Sequence, residues 1–197
     1  MPGELTRRWF ARPAPVVAPA LLGRHLVRRL PDGTICRIRI VETEAYEPDD
    51  PASHSFRGPT ARNASMFADA GHAYVYLVYG IHHAINVVTG PLGHAGAVLI
   101  RAGEPLEGLA AMGARRGTGD VRALCRGPGR LAQALEVDRA LDGVDLLRSS
   151  VLWLEAGRPI PKSGTTSTRR IGVTAGADIP WRWVETGSSW ATPTPRG

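Results

Sequence analysis

Residues 36–40 alternate apolar and basic side chains with the period of two that is typical of a half-buried β-strand. The apolar members of one parity are Cys36, Ile38 and Ile40. Glu42 and Glu44 continue the same parity. If the strand stays regular, both carboxylates lie on its core-facing side, where an unpaired carboxylate is costly to bury. Each buried acid therefore needs a polar or basic partner from elsewhere in the chain, and this requirement strongly constrains the fold.

Two interpretations of the acids follow from this chemistry. Glu42 and Glu44 can form salt bridges with some of the many arginines, or one of them can carry out proton chemistry at a site. Tyr46 lies two residues beyond Glu44 and offers an aromatic ring beside the acid at the end of the strand. The residues of this stretch leave both interpretations open.

The charge of the chain favours an anionic partner. The net charge is +6, and the 24 basic residues are arginines with the single exception of Lys162. Arginine favours bidentate phosphate contacts and aromatic stacking, although a basic but inert surface is the alternative explanation. Lys162 lies in Pro-Lys-Ser-Gly, which is typical of a loop. A Schiff-base mechanism needs a lysine with a lowered pKa, and a loop does not provide one.

The composition is that of a soluble globular protein in a reducing compartment. Hydrophobic residues make up 43% of the chain, and no apolar run is long enough to span a bilayer. Residues 1–19 lack the apolar stretch of a secretion signal, so we expect a cytoplasmic location. Cys36 and Cys125 have no Cys-x-x-Cys partner and are expected to be buried thiols. The histidines, including His82-His83, lack the spacing of metal ligands, so we expect no metal.

The order of the elements favours an α+β fold in a single domain. Strands and short helices are mixed without regular β-α-β alternation, so an antiparallel sheet with peripheral short helices is favoured over a doubly wound sheet. Predicted strands cover 25–30, 34–41, 73–79, 84–89, 96–102, 151–155 and 170–173, and predicted helices cover 15–22, 104–116 and 128–135. We expect a flexible N-terminus over 1–14, a folded domain over 15–190, a flexible loop over 156–168 and a flexible tail over 191–197.

Aromatic residues concentrate on one predicted strand. Tyr74 and Tyr76 share one face of the strand over 73–79, whereas Tyr79 has the opposite parity and precedes the turn at Gly80. One strand can therefore line a pocket with Tyr76 and offer Tyr79 to another surface. Aromatic packing in the core is the alternative.

Three further residues could complete a site. Asn86 interrupts an apolar run, and a buried amide needs partners or a ligand. Arg101 ends the run 97–100 and could pair with an acid or hold a phosphate or water, unless it is a surface arginine. His54 lies in the loop 47–65, whose length is typical of functional loops. Such a site suits an enzyme that stacks a flat ring and hydrolyses a neighbouring bond, as in base flipping by a DNA repair enzyme.

With these residues in place, the chain resembles the alkyladenine (3-methyladenine) DNA glycosylase family of bacteria and mammals. The resemblance extends from about Ala14 to Trp190. The matching stretches are Val41-Glu-Thr-Glu-Ala-Tyr46, Asp50-Pro-Ala-Ser-His54, Arg62-Asn63 with Met66-Phe67, Tyr74-Val-Tyr76 with Tyr79-Gly80, Asn86, Val98-Leu-Ile-Arg101 with Glu104-Pro-Leu-Glu-Gly108, and Gly127-Pro128. Each stretch is weak alone, and their joint presence in this order is specific.

The resemblance implies a fold and a catalytic pair. The fold is one domain with a curved antiparallel sheet, which cradles DNA without any metal or organic cofactor. Glu44 matches the catalytic acid that activates a water to attack C1′ of a flipped nucleotide. Arg101 matches the residue that helps to hold that water.

The resemblance also implies roles around the flipped base. Tyr46, His54 and Tyr76 match the side chains that sandwich the base. Asn86 matches the residue that excludes purines with an extra exocyclic group. Tyr79 matches the side chain that is inserted into the duplex where the base was.

The resemblance thus predicts a monofunctional DNA glycosylase acting in base excision repair. Its substrates are expected among 3-methyladenine, 7-methylguanine, hypoxanthine and ethenoadenine in double-stranded DNA, and we expect a monomer near the nucleoid in the cytoplasm. Two alternatives stay open at this point: a damaged-DNA-binding protein of the same fold with weak catalysis, and a small-molecule nucleosidase. A salt-dependent affinity for DNA separates the nucleosidase from the others.

Overall fold

The computed structural model describes residues 5–78 and 80–193. Its strands are β1 (His25–Arg29), β2 (Ile35–Tyr46), β3 (Ala73–Val78), β4 (His82–Thr89), β5 (Gly96–Glu107), β6 (Leu152–Glu155), β7 (Thr165–Thr168) and β8 (Arg182–Glu185). They form one antiparallel sheet in the order β3-β4-β5-β2-β1-β6, and β8 pairs with both β2 and β7. The sheet is curled into a half-barrel, which confirms the predicted α+β domain with a curved antiparallel sheet.

Short helices lie around this sheet: α1 (Arg7–Phe10), α2 (Ala14–Leu21), α3 (Leu109–Arg116) and α4 (Pro128–Ala134). Both α2 and α4 begin with proline in the first turn, where a missing amide proton costs no helical hydrogen bond. Their apolar residues pack on one face of the sheet and form the main core. None of the helices between residues 5 and 193 has the length and apolarity that a membrane crossing requires.

A β-bulge in β2 reverses the faces of the strand. Ile40 pairs with Gly103 of β5 and Glu42 pairs with Ala102, so Val41 is an extra residue on β2. Because side chains alternate between the two faces of a strand, one extra residue exchanges the faces that follow it. The prediction that both acids continue the core-facing parity is therefore wrong.

Residues beyond the bulge confirm this exchange. The hydroxyl of Thr43 donates to the carbonyl of Ala18 in α2 at 2.9 Å, and Ala45 belongs to the main core. Glu42 and Glu44 consequently lie on the opposite face, away from the apolar side chains of α2. Carboxylates there can be met by polar partners, which an apolar core does not supply.

A second irregularity lies directly opposite, in β5. Thr43 pairs with Ile100 and Glu42 pairs with Ala102, so Arg101 is the extra residue on its strand. Bulges of this kind change the direction of a side chain next to a site. Arg101 is turned toward the acids of β2.

The prediction of a helix over 104–116 is wrong at its start. The strand β5 continues to Glu107, and the helix α3 begins only at Leu109. Cross-strand ion pairs hold the end of β5, among them Arg39 Nε to Glu104 Oε2 at 2.6 Å. Gly108 then turns the chain with φ of +78°, and a Cβ at this residue would lie 2.5 Å from the carbonyl oxygen of Ile35.

The described parts of the two terminal segments make contacts with the fold, whereas residues 1–4 and 194–197 lie outside the described residues. We expected residues 1–14 to be flexible; within 5–14, α1 forms with Thr6 as its N-cap, and Phe10 is fully buried in the main core. We also expected flexibility over 191–197; within 191–193, Ala191 is buried and the amide of Thr192 donates to Glu42 Oε2 at 2.7 Å. Apolar burial and a buried carboxylate thus anchor Phe10, Ala191 and Thr192.

The strand predicted over 170–173 is also wrong. Two other late strands form instead, β7 and β8. Strand β7 lies inside the loop expected over 156–168, and residues 169–181 form a loop between β7 and β8. The side chain of Arg170 and the amide of Ile171 bind groups on β2 and on the 47–65 loop. Arg170 and Ile171 are therefore held by hydrogen bonds to β2 and to the 47–65 loop, and not by pairing with a neighbouring strand.

Candidate active site

A cavity of about 580 Å³ opens on the face of the sheet that lies opposite to the core. This volume lies within the range of about 300–1,000 Å³ that is usual for small-molecule sites. Its walls come from β2, β3, β4 and β5 together with the 47–65 and 169–181 loops. The polar and aromatic side chains in the lining are Tyr46, His54, Arg62, Tyr74, Tyr76, Asn86 and Arg101.

Glu44 lies directly behind the lining of this cavity and is fully buried. Its Oε2 accepts from the hydroxyl of Tyr46 at 2.8 Å and from Nη1 of Arg101 at 3.1 Å. Its Oε1 accepts from the amide of Ile171 at 2.8 Å. All three donor residues line the cavity. A carboxylate has about four acceptor positions, so three donors leave room for one more, such as a water.

Glu42 is equally buried but faces elsewhere. Its Oε1 accepts from Nε of Arg101 at 2.9 Å and from Nε of Arg182 at 2.7 Å, and its Oε2 accepts from the amide of Thr192. Burial alone would raise the pKa of Glu42, but the two guanidinium groups and the Thr192 amide bring that pKa below its ordinary value. Neither Arg182 nor Thr192 lines the cavity.

Glu42, Glu44, Arg101 and Arg182 together form a polar cluster, in which Arg101 bridges the two acids. Burial lowers the pKa of Arg101, but its two carboxylate partners raise that pKa above its ordinary value and keep the group charged. The two interpretations of Glu42 and Glu44, as salt-bridge partners and as acids at a site, are therefore compatible. Each acid is in an ion pair, but only Glu44 has all its partners on the cavity wall.

Tyr46 connects the polar cluster with the aromatic part of the cavity. Burial, followed by the charge of Glu44, raises the pKa of Tyr46 well above its ordinary value, so its hydroxyl remains a donor to that carboxylate. The guanidinium carbon of Arg170 lies 4.7 Å from the centre of the Tyr46 ring. Arg170 is held by Asp50 in a bidentate ion pair and also donates to the carbonyl of Ala45 at 3.0 Å.

Three aromatic rings gather on another wall of the cavity. The rings of His54 and Tyr76 meet edge to face with centroids 4.5 Å apart, and Tyr74 stacks on Tyr76 at 5.3 Å. Nδ1 of His54 lies 2.7 Å from the hydroxyl of Tyr74. Burial and then the charge of Arg62 lower the pKa of His54, which favours a neutral imidazole at pH 7. These rings offer flat apolar surfaces to a ligand.

Asn86 reaches the cavity from β4. Its side-chain nitrogen donates to the carbonyl of Tyr74 at 3.0 Å, which fixes the orientation of the amide. The buried amide predicted from the sequence thus has a backbone partner, and its residue still borders the cavity. The amide is therefore held in a fixed orientation at the cavity wall.

The structure brings the predicted residues Glu44, Tyr46, His54, Tyr76, Asn86 and Arg101 together around one cavity. The seventh predicted residue, Tyr79, lies outside the described residues. Its described neighbours on the β3–β4 hairpin include Leu77 and Ile81, which are 42% and 72% exposed. This part of the hairpin presents apolar side chains to the solvent.

Sequence reasoning missed the contribution of the 169–181 loop. The amide of Ile171 reaches Glu44, and Gly172 and Val173 line the cavity. Any residue except proline could supply that amide, so no side-chain pattern marks it. Tyr74 could have been included, because it shares the face of Tyr76.

Across residues 5–78 and 80–193, no three His, Cys, Asp or Glu side chains are grouped as metal ligands would be. The chemistry available at the site is that of a carboxylate, a guanidinium, a tyrosine hydroxyl and aromatic rings. This set can activate a water beside a stacked ring.

The sequence of the chain matches the family model described as "Methylpurine-DNA glycosylase (MPG)" over residues 8–189. The chain belongs to the methylpurine-DNA glycosylase family. The match spans every strand of the sheet and every residue that lines the cavity. Membership supports DNA glycosylase activity and a role in DNA repair, as the sequence motifs predicted.

Relatives within this family cover nearly the whole chain. A Streptomyces avermitilis protein named "Putative 3-methyladenine DNA glycosylase" is 49% identical over 201 residues, which cover 98% of this chain and 94% of the relative. Proteins of the same name from Carboxydothermus hydrogenoformans and Rubrobacter xylanophilus are 45% and 48% identical, and they cover 91% and 89% of this chain and 93% and 90% of their own lengths. The methylpurine-DNA glycosylase assignment therefore rests on full-length similarity.

Proposed function

We propose that this chain is a monofunctional DNA glycosylase that flips alkylated or deaminated purines out of double-stranded DNA and hydrolyses their N-glycosidic bond with an activated water. One observation carries this proposal: the buried Glu44 accepts hydrogen bonds from Tyr46, Arg101 and Ile171, all of which line the cavity. A buried carboxylate beside an aromatic cavity is the arrangement that a water-activating base needs.

The base is expected to stack among Tyr46, His54 and Tyr76. Stacking on aromatic rings favours every purine, and a purine that carries positive charge gains cation–π attraction of about 0.5–2 kcal/mol. Asn86 would then exclude purines with an extra exocyclic group, since its amide borders the cavity and is fixed by the Tyr74 carbonyl. The cavity thus supplies both affinity and selection.

Glu44 would act as the general base and Arg101 as the group that holds the water. The water oxygen forms a bond to C1′ of the flipped nucleotide while the N-glycosidic bond breaks, and the bonding pair leaves with the base. A cationic base leaves as a neutral molecule, whereas a neutral base leaves as an anion and takes up one proton from the solvent. The proton of the water passes to Glu44, for which one acceptor position remains beside its three donors. The products are a free base and an abasic site in an uncut strand.

The proposed absence of lyase activity is supported by the position of Lys162, the one lysine of the chain. This lysine is exposed and does not line the cavity. A Schiff base at C1′ needs an amine held at the sugar with a lowered pKa. The remaining parts of the proposal are a role for Tyr79 as the residue that fills the vacated stack, action as a monomer, and a cytoplasmic location near the nucleoid.

The test is base release from duplexes that each carry one lesion: 3-methyladenine, 7-methylguanine, hypoxanthine or ethenoadenine. We expect release of at least one base, with strand breaks appearing only after treatment with alkali and heat, and no adduct on reduction with borohydride. A covalent adduct that disappears in Lys162→Ala would contradict water attack. Release from free nucleosides but not from duplexes would favour the nucleosidase alternative, and binding without any release would favour the DNA-binding alternative.

A further inference from the structure

Arg62 stands at the cavity on a loop that is fixed from within. Its neighbour Asn63 is buried, and the Asn63 side-chain nitrogen donates to the carbonyls of His54 at 2.8 Å and Gly58 at 3.1 Å. The Asn63 side-chain oxygen accepts from the amide of Thr60 at 2.6 Å. These bonds tie together the two ends of the segment 54–63. The loop therefore holds Arg62 and His54 at a defined separation.

The guanidinium of Arg62 lies over one of the proposed stacking rings. Its central carbon is 5.9 Å from the centre of the Tyr76 ring, and its Nη2 donates to the carbonyl of Leu77 at 3.4 Å. The backbone carbonyl of Arg62 accepts from Nη2 of Arg139 at 3.4 Å. The side chain is exposed, but these contacts direct its charge into the cavity lining.

Arg62 differs from the other arginines near the cavity in the balance of its charge. Arg101 is paired with Glu42 and Glu44, and Arg170 is paired with Asp50. Among the residues that the structure describes, no carboxylate forms a corresponding ion pair with Arg62. The positive charge of Arg62 is therefore not neutralised by an ion pair within the part of the chain that the structure describes.

The charge of Arg62 affects the pKa of the neighbouring His54. Burial lowers the pKa of His54, and the positive charge of Arg62 lowers it further. Arg62 and His54 both line the cavity, and the guanidinium of Arg62 lies over the Tyr76 ring, so a base stacked there would lie close to this charge. A positively charged base in that space would experience the same repulsion as a positively charged imidazole.

We propose that Arg62 sets the charge preference of the cavity and disfavours lesions that carry a positive charge relative to neutral ones. This inference rests on the proposed function. Purines alkylated at ring nitrogen 3 or 7, such as 3-methyladenine and 7-methylguanine, are cationic while attached to the sugar, whereas hypoxanthine and ethenoadenine are neutral. Arg62 opposes the cation–π attraction that the rings offer to the first group and leaves the stacking of the second group unchanged.

The test compares Arg62→Gln with two matched variants. Arg62→Lys keeps the charge, and Arg57→Gln removes the same charge from an exposed position in the same segment that does not line the cavity. Single-turnover rates are measured for 7-methylguanine and hypoxanthine in one duplex sequence. We expect Arg62→Gln to raise the ratio of the first rate to the second about three- to tenfold, and the other two variants to leave it unchanged.

The alternative role for Arg62 is contact with a DNA phosphate, which would be independent of the lesion. An equal loss for both lesions in Arg62→Gln, or a ratio that stays constant or falls, would overturn the inference while leaving the proposed function intact. Lack of release of any base by the wild-type chain would instead contradict the proposed function.

The pKa of His54, followed by NMR, tests the charge effect without base release. This pKa should rise in Arg62→Gln and stay constant in Arg57→Gln. An unmoved pKa in Arg62→Gln would overturn the inference even if the chain released no base.

Discussion

The two faces of β2 and β5 bury different kinds of side chain. On one face, Ile38, Ile40 and Ile100 pack under α2 and α4 and are fully buried. On the other face lies the polar cluster of Glu42, Glu44, Arg101 and Arg182, whose members are at most 5% exposed. Side chains change face at the two bulges. Ile100 therefore packs in the main core, whereas its neighbour Arg101 belongs to the polar cluster.

This comparison distinguishes the apolar side chains that stabilise the fold from the charged side chains that a functional site requires. Burial of apolar surface contributes about 25 cal/mol per Å², so the apolar face supplies stability directly. A buried ion pair gains little over an apolar replacement of the same shape, because desolvation offsets the Coulombic attraction. Stability alone therefore does not explain the polar cluster, whereas the proposed need for a charged general base and a fixed guanidinium does.

The largest expected effect is on the rate of base release. Glu44→Gln keeps the shape of the side chain but removes the proposed general base, so single-turnover excision should fall roughly 10²–10⁴-fold or more. Lesion binding should persist, because the residues proposed to stack the base are unchanged. Excision and gel-shift affinity are measured side by side on the same duplex.

Excision at the wild-type rate by Glu44→Gln would end this assignment and direct attention to Glu42, the other acid of the polar cluster. A loss of binding equal to the loss of rate would indicate that the variant disturbs the cavity. Thermal unfolding of the variant serves as the control for folding.

The second effect belongs to the apolar face. Ile100→Ala should lower the free energy of unfolding by about 2–5 kcal/mol, because Ile100 is fully buried in the main core. Leu92→Ala is the matched control, since Leu92 is 74% exposed and should change stability by at most about 0.5 kcal/mol. At a temperature where both variants are folded, both should release bases at the wild-type rate. A large loss of rate in folded Ile100→Ala would contradict the separation of the two faces.

Glu42→Gln tests the part of the polar cluster that lies away from the cavity. Loss of the charge weakens the hydrogen bonds from Arg101 and Arg182, and we expect a decrease of about 1.5–3 kcal/mol in unfolding free energy at pH 7. The folded state holds the pKa of Glu42 below its ordinary value of 4.5. The wild-type advantage should therefore be complete above pH 4.5 and be lost as the pH falls through the lowered pKa.

Chemical denaturation of wild type and Glu42→Gln across this pH range provides the measurement. A stability difference that is the same at low pH and at pH 7 would show that the charge of Glu42 makes no contribution. The rate of base release should change less than in Glu44→Gln.

Much of the sheet could be predicted from local sequence patterns, and the change of face could not. Apolar runs and turn residues predicted most of β1, β3 and β4, and alternation predicted the first part of β2. The adjacent apolar residues Ile40 and Val41 were a signal of the bulge, because they interrupt the alternation and the later apolar residue Ala45 has the opposite parity. A regular pattern extended through that point placed the acids on the wrong face. Register irregularities depend on the partner strand, which a local pattern does not include.

The residues of the candidate site, like the strands, could be predicted from the sequence only in part. Motif resemblance gathered six residues that the fold brings to one cavity, because their identities are distinctive. Arg170 and Ile171 were missed because one is an arginine among many and the other contributes a backbone amide. Their partners Asp50 and Glu44 are 120 and 127 residues away in sequence, so only the closed fold makes these contacts visible.

The smallest expected effect lies at Tyr46, where the two parts of the site meet. Tyr46→Phe keeps the ring that a base would stack on and removes the hydroxyl that donates to Glu44 at 2.8 Å. A hydrogen bond of this kind contributes about 0.5–1.5 kcal/mol, so the rate should fall roughly two- to tenfold while lesion affinity stays constant. Because the pKa of Tyr46 is raised above 10, its ionisation should not reduce the wild-type rate at any pH below 10. Tyr46→Ala, which removes the ring as well, should also weaken lesion binding. If Tyr46→Phe lost affinity as much as Tyr46→Ala, the hydroxyl would belong to base recognition, and the division between a polar cluster that acts on water and rings that hold the base would fail at this residue.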